Sequence, residues 1–217
     1  MIETTWNSFP KLRSTTSFSI TKFKKYFGLG ATIADLGCGY GRICLRLEQA
    51  GFCNIIGLDE SEVQLSRADK HLKMTRLIKS NVIQTPLLDE SVDGVISFGV
   101  MSSFVNSQDF LMAVQEVNRI MKAGGFWFFN DFTRNDSYEF EEKYKSGFDK
   151  YGVLRQFDSN FGITFRHYSI SEILTAIDPY FNLIECTAKQ FHSLHLNKRV
   201  AGYSLILQKV KHTSSYR

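Results

Sequence analysis

Prolines and long apolar runs are both scarce in this sequence of 217 residues. It contains only three prolines, and no apolar run approaches the roughly 18 residues needed to span a bilayer. The first 13 residues also lack the basic-then-apolar pattern of a signal peptide. These absences disfavour collagenous, disordered, membrane-spanning and secreted chains. We therefore expect a soluble cytoplasmic protein with no membrane partner.

The sequence also contains few cysteines, and their spacing does not match a disulfide framework or a zinc site. The four cysteines are Cys38, Cys44, Cys53 and Cys186. Because none forms a C-x-x-C pair, the pattern disfavours disulfides and structural zinc, and we expect no metal site. Asp131 and Asp136 are the remaining candidates for a hard cation, but solvation in a loop is the simpler explanation of both.

Charges of the two signs nearly balance. Lys and Arg number 26 and Asp and Glu number 22, which gives a net charge of +4. Proteins that bind the phosphate backbone usually carry a higher density of positive charge. Basic residues near the two ends, such as Lys22 and Lys209, could form one basic face if the termini meet, but we expect them to lie on solvated faces. The composition therefore permits a nucleic-acid partner but does not indicate one, and it leaves the oligomeric state open.

Short apolar runs alternate with helical patterns along most of the chain. Runs that are apolar throughout are typical of strands covered on both faces, and βα alternation with short turns indicates a parallel sheet with helices on each side. We predict a doubly wound α/β fold in a single domain, 1–217. The predicted strands are 32–36, 54–58, 76–79, 94–98, 126–129 and a late hairpin of 182–188 and 201–210. The predicted helices are 20–27, 42–50, 61–74, one from 107 to the glycine pair 124–125, and 169–177.

Two segments depart from this alternation. Residues 1–29 are mixed and aromatic, and 133–168 is longer than an ordinary connection. We expect 133–168 to overhang the carboxyl edge of the sheet as a substrate lid, because aromatic walls are typical of small-molecule pockets. A satellite core would explain about half of its rings equally well. Residues 1–29 either close the pocket from the other side, through Trp6, Phe9 and Phe18, or dock on the sheet edge.

A glycine-rich turn follows the first predicted strand. Gly37, Gly39 and Gly41 would let the backbone pass close beneath a ligand, and the helix that follows would point free amides at it. Arg42 stands where a dinucleotide fingerprint has Gly or Ala, and Asp35 ends the strand with a carboxylate that would repel a pyrophosphate. The turn therefore favours a nucleotide-like ligand that carries ammonium and sulfonium groups.

An acidic residue, Asp59, ends the second predicted strand, 22 residues after Gly37. A carboxylate in that position can accept hydrogen bonds from both hydroxyls of a ribose. Together with the glycine turn it predicts an adenosyl ligand. The alternatives are a glycine turn of structural value only and a dehydrogenase loop.

Residues 30–132 resemble the class I S-adenosylmethionine-dependent methyltransferases, and the agreement weakens towards the C-terminus. The segment 33–42 is similar to the first motif of that family, 55–60 to its acidic second-strand motif, and 121–130 to its entry into strand five. The resemblance implies a mostly parallel seven-stranded sheet with helices on both faces and the last strand antiparallel. It also implies methyl transfer from S-adenosyl-L-methionine.

The resemblance places a cofactor site at the ends of the first four strands. Its members are Asp35, Gly37, Cys38, Gly39, Asp59, Glu60, Asn81, Val82 and Phe98. By resemblance, the glycine loop lines the methionine part and Asp35 helps to order that loop. Asp59 would hold the ribose, Glu60 would lie beside the adenosine, and Asn81 with the Val82 amide would meet the adenine. Asn81 is a departure, because an acid is usual there, although an amide can still bond the adenine amino group.

The range of possible methyl acceptors is narrowed mainly by motifs that the sequence lacks. Residues 97–101 lack the Asn/Asp-Pro-Pro-aromatic motif of enzymes that methylate amino groups of adenine, cytosine or glutamine. No cysteine lies in the proline-flanked loop needed for attack on carbon 5 of cytosine. We expect transfer to oxygen or nitrogen of a small-molecule metabolite. An RNA methyltransferase and a non-catalytic subunit that keeps the fold are the alternatives.

One histidine is a candidate catalytic base. His167 precedes the capping box Ser169 to Glu172, where similar small-molecule enzymes often place a residue near the acceptor. A histidine can take a proton from a hydroxyl or an amine near neutral pH. A surface histidine whose hydrogen bonds are satisfied is the favoured interpretation of His167.

Overall fold

The computed structural model describes residues 16–134, 153–155, 164–193 and 198–211. Within these ranges the chain forms nine strands and five α-helices. The strands are β1 (Thr32–Leu36), β2 (Asn54–Asp59), β3 (Arg76–Lys79), β4 (Val92–Phe98), β5 (Met121–Phe132), β6 (Val153–Arg155), β7 (Thr164–Arg166), β8 (Phe181–Ser193) and β9 (Lys198–Lys209). The helices are α1 (Ile20–Phe23), α2 (Arg42–Gln49), α3 (Glu62–Asp69), α4 (Ser107–Ile120) and α5 (Ile170–Ile177), with a 3₁₀ turn at Met101–Ser103.

Seven of the described strands form one sheet, in the order β3-β2-β1-β4-β5-β9-β8. The pairings from β3 to β5 are parallel, whereas β9 is antiparallel to both β5 and β8. This confirms the predicted doubly wound fold with an antiparallel strand at the end of the chain. Because neighbouring parallel strands end at the same edge, the loops after β1, β2, β4 and β5 meet there.

Helices cover both faces of the sheet, which explains the continuous aromatic run in β5. Side chains along a strand alternate between its faces. Trp127 and Phe129 belong to the core under α4 and α5, whereas Phe128 belongs to the core under α1 and α2. All three lie against an apolar layer, so β5 has no polar face in this stretch.

The described part of the N-terminal segment docks on the sheet through α1. Phe23 is fully buried, and its ring centroid lies 4.9 Å from that of Phe128 and 4.5 Å from that of Phe27. Burial of a phenylalanine contributes about 1.5–3 kcal/mol. The helix is shorter than the predicted 20–27, although its last turn continues to Phe27. Trp6 and Phe9 lie outside the described residues.

Two predicted helix ends are wrong. The helix expected to reach the glycine pair 124–125 ends at Ile120, and both glycines lie within β5, where the register with β4 shifts between Val92 and Gly94. A Cβ at Gly125 would lie 2.6 Å from the carbonyl oxygen of Asp93, so the bulge requires a bare backbone there.

The second wrong end is that of α3, which stops at Asp69 instead of extending to residue 74. The carboxylate of Glu48 accepts hydrogen bonds from the amides of Lys73, Met74 and Thr75, with shortest N–O distances of 3.1, 2.9 and 2.8 Å. Because these amides bond to a side chain of α2, they do not continue the helix, and the segment leads into β3.

Most of the predicted lid lies outside the described residues. Of 133–168, the structure describes 133–134, the antiparallel pair β6 and β7, and 167–168. Tyr168 packs in the main core, with its ring centroid 4.4 Å from that of Phe110. Of the helices in the described ranges, none combines the length and the apolar character that a membrane crossing requires.

Candidate functional site

The glycine loop after β1 is held in a conformation that favours glycine. Gly37, Gly39 and Gly41 have φ values of 68°, 55° and 80°. A Cβ at Gly37 would lie 2.4 Å from a methyl group of Val100, and one at Gly41 would lie 2.6 Å from a methyl group of Leu72. At Gly39, by contrast, nothing lies within 4 Å of that position. The loop is packed at both ends and open in its middle, so a ligand can approach the backbone at Gly39.

Asp59 joins the end of β2 to this loop. One carboxylate oxygen accepts a hydrogen bond from the Gly39 amide at 2.8 Å, and the other accepts one from the Ser61 amide at 2.8 Å. Burial raises the pKa of Asp59, and the two amides partly oppose that change. An ionised carboxylate has about four acceptor positions. Asp59 therefore keeps the capacity to accept two ribose hydroxyls while it holds the loop.

Asp35 lies beneath the loop and interacts with α2. It is buried, and its carboxylate accepts a hydrogen bond from the Cys44 thiol at 3.3 Å. Burial raises the pKa of Asp35 to about 7. Asp35 is therefore only partly ionised at neutral pH, which weakens the expected repulsion of a pyrophosphate. The Gly39 amide is held by Asp59, whereas Asp35 braces the first turn of α2.

The other predicted cofactor residues also lie at this edge of the sheet. Cys38 is buried, and its amide donates to the carbonyl of Leu58 at 2.9 Å. The side chain of Asn81 is exposed and accepts from the Ile83 amide at 3.0 Å, which forms a local turn. Glu60 and Phe98 are half-buried. The side chain of Val82 packs in the core under α4, so only its backbone is left to face a ligand.

Asp131, at the end of β5, has a role that the sequence did not reveal. Its carboxylate accepts from the Ser102 amide at 3.1 Å and from the Phe132 amide at 2.7 Å. Burial raises the pKa of Asp131 to about 6, and these amides oppose that change. The residue thus fastens the 3₁₀ turn after β4 to the end of β5. The described residues contain no cluster of three metal-ligating side chains, and Asp136 lies outside them.

His167 is buried, so its interpretation as a surface histidine is wrong. Its exposed fraction is 5%, and its ring lies over Phe132 with 6.3 Å between centroids. Burial lowers the pKa of His167 to about 4. The imidazole is therefore neutral throughout the physiological pH range, and it lies at the same edge of the sheet as Asp131.

Comparisons with known proteins agree with this geometry. The methyltransferase domain family matches residues 34–129. A U6 snRNA (guanine-N(2))-methyltransferase of Bos taurus is 32% identical over 124 residues, covering 52% of this chain and 24% of that protein. A demethylmenaquinone methyltransferase of Staphylococcus haemolyticus is 32% identical over 103 residues, covering 45% of this chain and 41% of that protein.

A solved structure shares nearly the whole fold. The SAM-dependent methyltransferase from Methanosarcina mazei superimposes with a TM-score of 0.81 at 19% identity, covering 90% of this chain and 99% of that one. Residues 34–129 therefore match the methyltransferase domain family, and the chain shares the fold of that SAM-dependent methyltransferase. The chain spans less than half the length of the bovine and staphylococcal relatives, and these two act on different acceptors.

Proposed function

We propose that this protein is an enzyme that transfers the methyl group of S-adenosyl-L-methionine to oxygen or nitrogen of a small molecule. The observation that carries the proposal is the pair of hydrogen bonds that Asp59 accepts from the amides of Gly39 and Ser61, next to the open space at Gly39. It joins a ribose-binding carboxylate to a loop whose backbone a ligand can approach, and both lie beside the N-terminus of α2.

The proposed donor site uses the residues at the ends of β1 to β4. Gly37, Cys38 and Gly39 line the methionine part, and Asp59 accepts the ribose hydroxyls. The adenosine lies between Glu60, Phe98, Asn81 and the Val82 amide, and Asp35 supports the site from below. When bound, the sulfonium of the donor supplies an electrophilic methyl group, so the chain itself has to align the acceptor and exclude water.

The acceptor is proposed to bind beyond the ends of β4 and β5. Asp131 and His167 both lie there and are buried, which suits a small molecule better than a broad macromolecular surface. Residues 133–168 are proposed to form the rest of the acceptor site as a lid, with 1–29 as the opposing cap. In this proposal 1–217 is a single domain.

Donor binding is tested by titration calorimetry with S-adenosylhomocysteine, the demethylated product. Asp59→Ala should weaken its binding by about 1.5–3 kcal/mol, or roughly 10- to 150-fold, because hydrogen bonds to a charged acceptor are lost. The matched control is Asp69→Ala, which removes the same charge from an exposed position at the end of α3 and should bind normally. Normal binding by Asp59→Ala, or equal binding of NAD by the wild type, would contradict the donor site.

The acceptor class is tested with labelled donor and a fractionated cell extract. The proposal expects label from the methyl group in the small-molecule fraction, dependent on the wild-type protein and reduced by Asp59→Ala. Label that appears only in RNA or only in protein would contradict a small-molecule acceptor. Absence of label from every fraction, despite donor binding, would favour a non-catalytic subunit.

RNA is the second candidate acceptor, because one of the relatives described above is a U6 snRNA methyltransferase. The structure offers little free positive charge for it at two of the expected positions. Lys22 forms an ion pair with Glu185, and the buried Lys209 pairs with Glu90 at 3.0 Å. The expectation that Lys209 is solvated is therefore wrong. Binding of RNA that falls steeply with added salt would favour this candidate.

A further inference from the structure

Four buried side-chain atoms lack a hydrogen-bond partner among the described residues, and all four lie in one region. They are Ser102 Oγ, Asn130 Oδ1, Thr133 Oγ1 and Arg166 Nε. They belong to three neighbouring segments, 99–104, 130–134 and 166–168, which together we name the polar junction. Proteins satisfy nearly all of their buried polar atoms, so a cluster of exceptions indicates a site that something else completes.

The polar junction is held together by its backbone. The Gly99 amide donates to the carbonyl of Asn130 at 2.8 Å, and the Arg134 amide donates to the carbonyl of Tyr168 at 3.0 Å. The Tyr168 hydroxyl donates to the carbonyl of Phe104 at 2.6 Å. Because the three segments are fixed to one another, the unpaired atoms are presented in a defined arrangement rather than by a loose loop.

The polar junction also borders the proposed donor site. Val100, in its first segment, packs so closely on the glycine loop that a Cβ at Gly37 would lie 2.4 Å from one of its methyl groups. The same turn is bound to Asp131 through the Ser102 amide. A ligand in the polar junction therefore lies next to the end of the donor that carries the methyl group.

The unpaired atoms of the polar junction differ in what they can bond: Asn130 Oδ1 only accepts, the Ser102 and Thr133 hydroxyls accept or donate, and Arg166 Nε only donates. Ser102 Oγ lies near enough to the Asp131 carboxyl to lower the pKa of Asp131. The unpaired atoms of Asn130 and Thr133, residues that are each 1% exposed, are therefore the stronger evidence for a missing ligand. Asp131 forms no ion pair within the described part of the chain. A buried carboxylate is costly without a partner of opposite charge, and Asp131, which has amide donors but no cation among the described residues, would be stabilised by a positive charge.

The acid–base properties of the region distinguish between acceptor atoms. Burial lowers the pKa of His167 to about 4 and raises that of Asp131 to about 6. His167 is therefore a poor general base at neutral pH, whereas Asp131 is largely ionised there and carries a negative charge. A neutral amine attacks through its lone pair and needs no prior deprotonation. An anionic acceptor such as a carboxylate would be repelled by Asp131.

We propose that the polar junction binds the nucleophilic group of the methyl acceptor and that this group is a primary or secondary amine. This inference rests on the methyltransferase function proposed above. The nitrogen lone pair forms the new N–C bond while the methyl–sulfur bond breaks, and the electron pair of that bond stays on sulfur. The positive charge passes from sulfur to nitrogen, where Asp131 stabilises it, and the product ammonium then loses a proton to water.

The nature of the acceptor group is tested by blocking amines. The small-molecule fraction of a cell extract is acetylated with acetic anhydride and treated with hydroxylamine, which removes O-acetyl groups but leaves N-acetyl groups. Labelled donor and the wild-type protein are then added to treated and untreated portions. Label that enters only the untreated portion is the expected result. Equal labelling of both portions would overturn the amine while leaving the methyltransferase function intact, whereas no label in either would overturn that function itself.

The location of the site is tested with Thr133→Val, which has the same shape but no hydroxyl. Because that hydroxyl makes no bond in the described structure, we expect a melting temperature within about 2 °C of wild type. We also expect donor affinity within about threefold and at least a tenfold loss of labelling of the amine fraction. The matched control is Thr85→Val, whose buried hydroxyl donates to Glu116 at 2.6 Å and whose melting temperature should fall by several degrees. Wild-type labelling by Thr133→Val, or destabilisation equal to that of Thr85→Val, would overturn the proposal.

Discussion

Replacing Asp35 by asparagine should change how the stability of this protein depends on pH. The carboxyl is buried under the glycine loop, and its pKa is raised from 3.8 to about 7. The folded state therefore binds the proton more tightly than the unfolded state does. The stability that Asp35 contributes is fully present below about pH 3.8 and is lost as the pH rises through about 7.

The size of the effect follows from that difference in pKa. At about 1.36 kcal/mol for each pH unit, the interval from 3.8 to about 7 corresponds to roughly 4 kcal/mol. Asparagine has almost the same shape, and its amide oxygen can still accept the Cys44 thiol. Asp35→Asn should therefore match the wild type near pH 4 and exceed its free energy of unfolding by up to about 4 kcal/mol at pH 8.

Urea denaturation of both proteins at pH 5, 6.5 and 8 measures this difference directly. Asp131, whose pKa is also raised, and His167, whose pKa is lowered, are present in both proteins and cancel in the comparison. The expected stability difference grows by about 3 kcal/mol between pH 5 and pH 8. A difference that stays constant over this range would refute the argument from burial.

Asp93→Asn is a control for which the pH dependence of stability should have the opposite sign. Partial burial raises the pKa of Asp93, but hydrogen bonds from Lys122 and from the Thr32 amide outweigh it and lower the pKa overall. Stability from Asp93 is therefore present above its ordinary pKa of 3.8 and is lost as the pH falls below it. Asp93→Asn should be less stable than the wild type at pH 7, and the deficit should shrink in acid.

Three further predictions concern the site and its support. The His167→Gln variant should keep the pH–rate profile of the wild type between pH 6 and 8, because burial lowers the pKa of His167 to about 4. If the variant instead loses a limb of that profile near pH 6 to 7, this histidine acts as a base. Ser169→Ala removes the capping box of α5 and should lower the free energy of unfolding by about 1 kcal/mol in urea denaturation; an unchanged value would contradict that role. Gly37→Ala should destabilise the protein more than Gly39→Ala, because a Cβ at Gly37 would meet the side chain of Val100 and a Cβ at Gly39 would meet nothing within 4 Å. Gly39→Ala should instead abolish binding of S-adenosylhomocysteine in calorimetry. Greater destabilisation by Gly39→Ala, with normal ligand binding, would contradict the open approach at Gly39.

The strands and caps that depend on nearby residues were predictable from the sequence. The bounds of β1 and β3 were predicted to the residue, and the capping box of Ser169 and Glu172 is present as expected. The neighbouring positions of the glycine loop and Asp59 also followed, because both lie at carboxyl ends of adjacent parallel strands. Such features depend on side-chain period, glycine φ values and hydrogen bonds between residues a few positions apart.

Features that depend on distant segments were decided by the tertiary structure alone. Nothing near Glu48 in the sequence shows that its carboxylate ends α3, and nothing near His167 shows that the ring is buried on Phe132. The polar junction likewise exists only because the turn after β4, the end of β5 and the residues after β7 meet at one edge of the sheet. Residue type determines which hydrogen bonds a side chain can make, but burial determines which of them remain unmade, and burial is set by the packing of segments far apart in the chain.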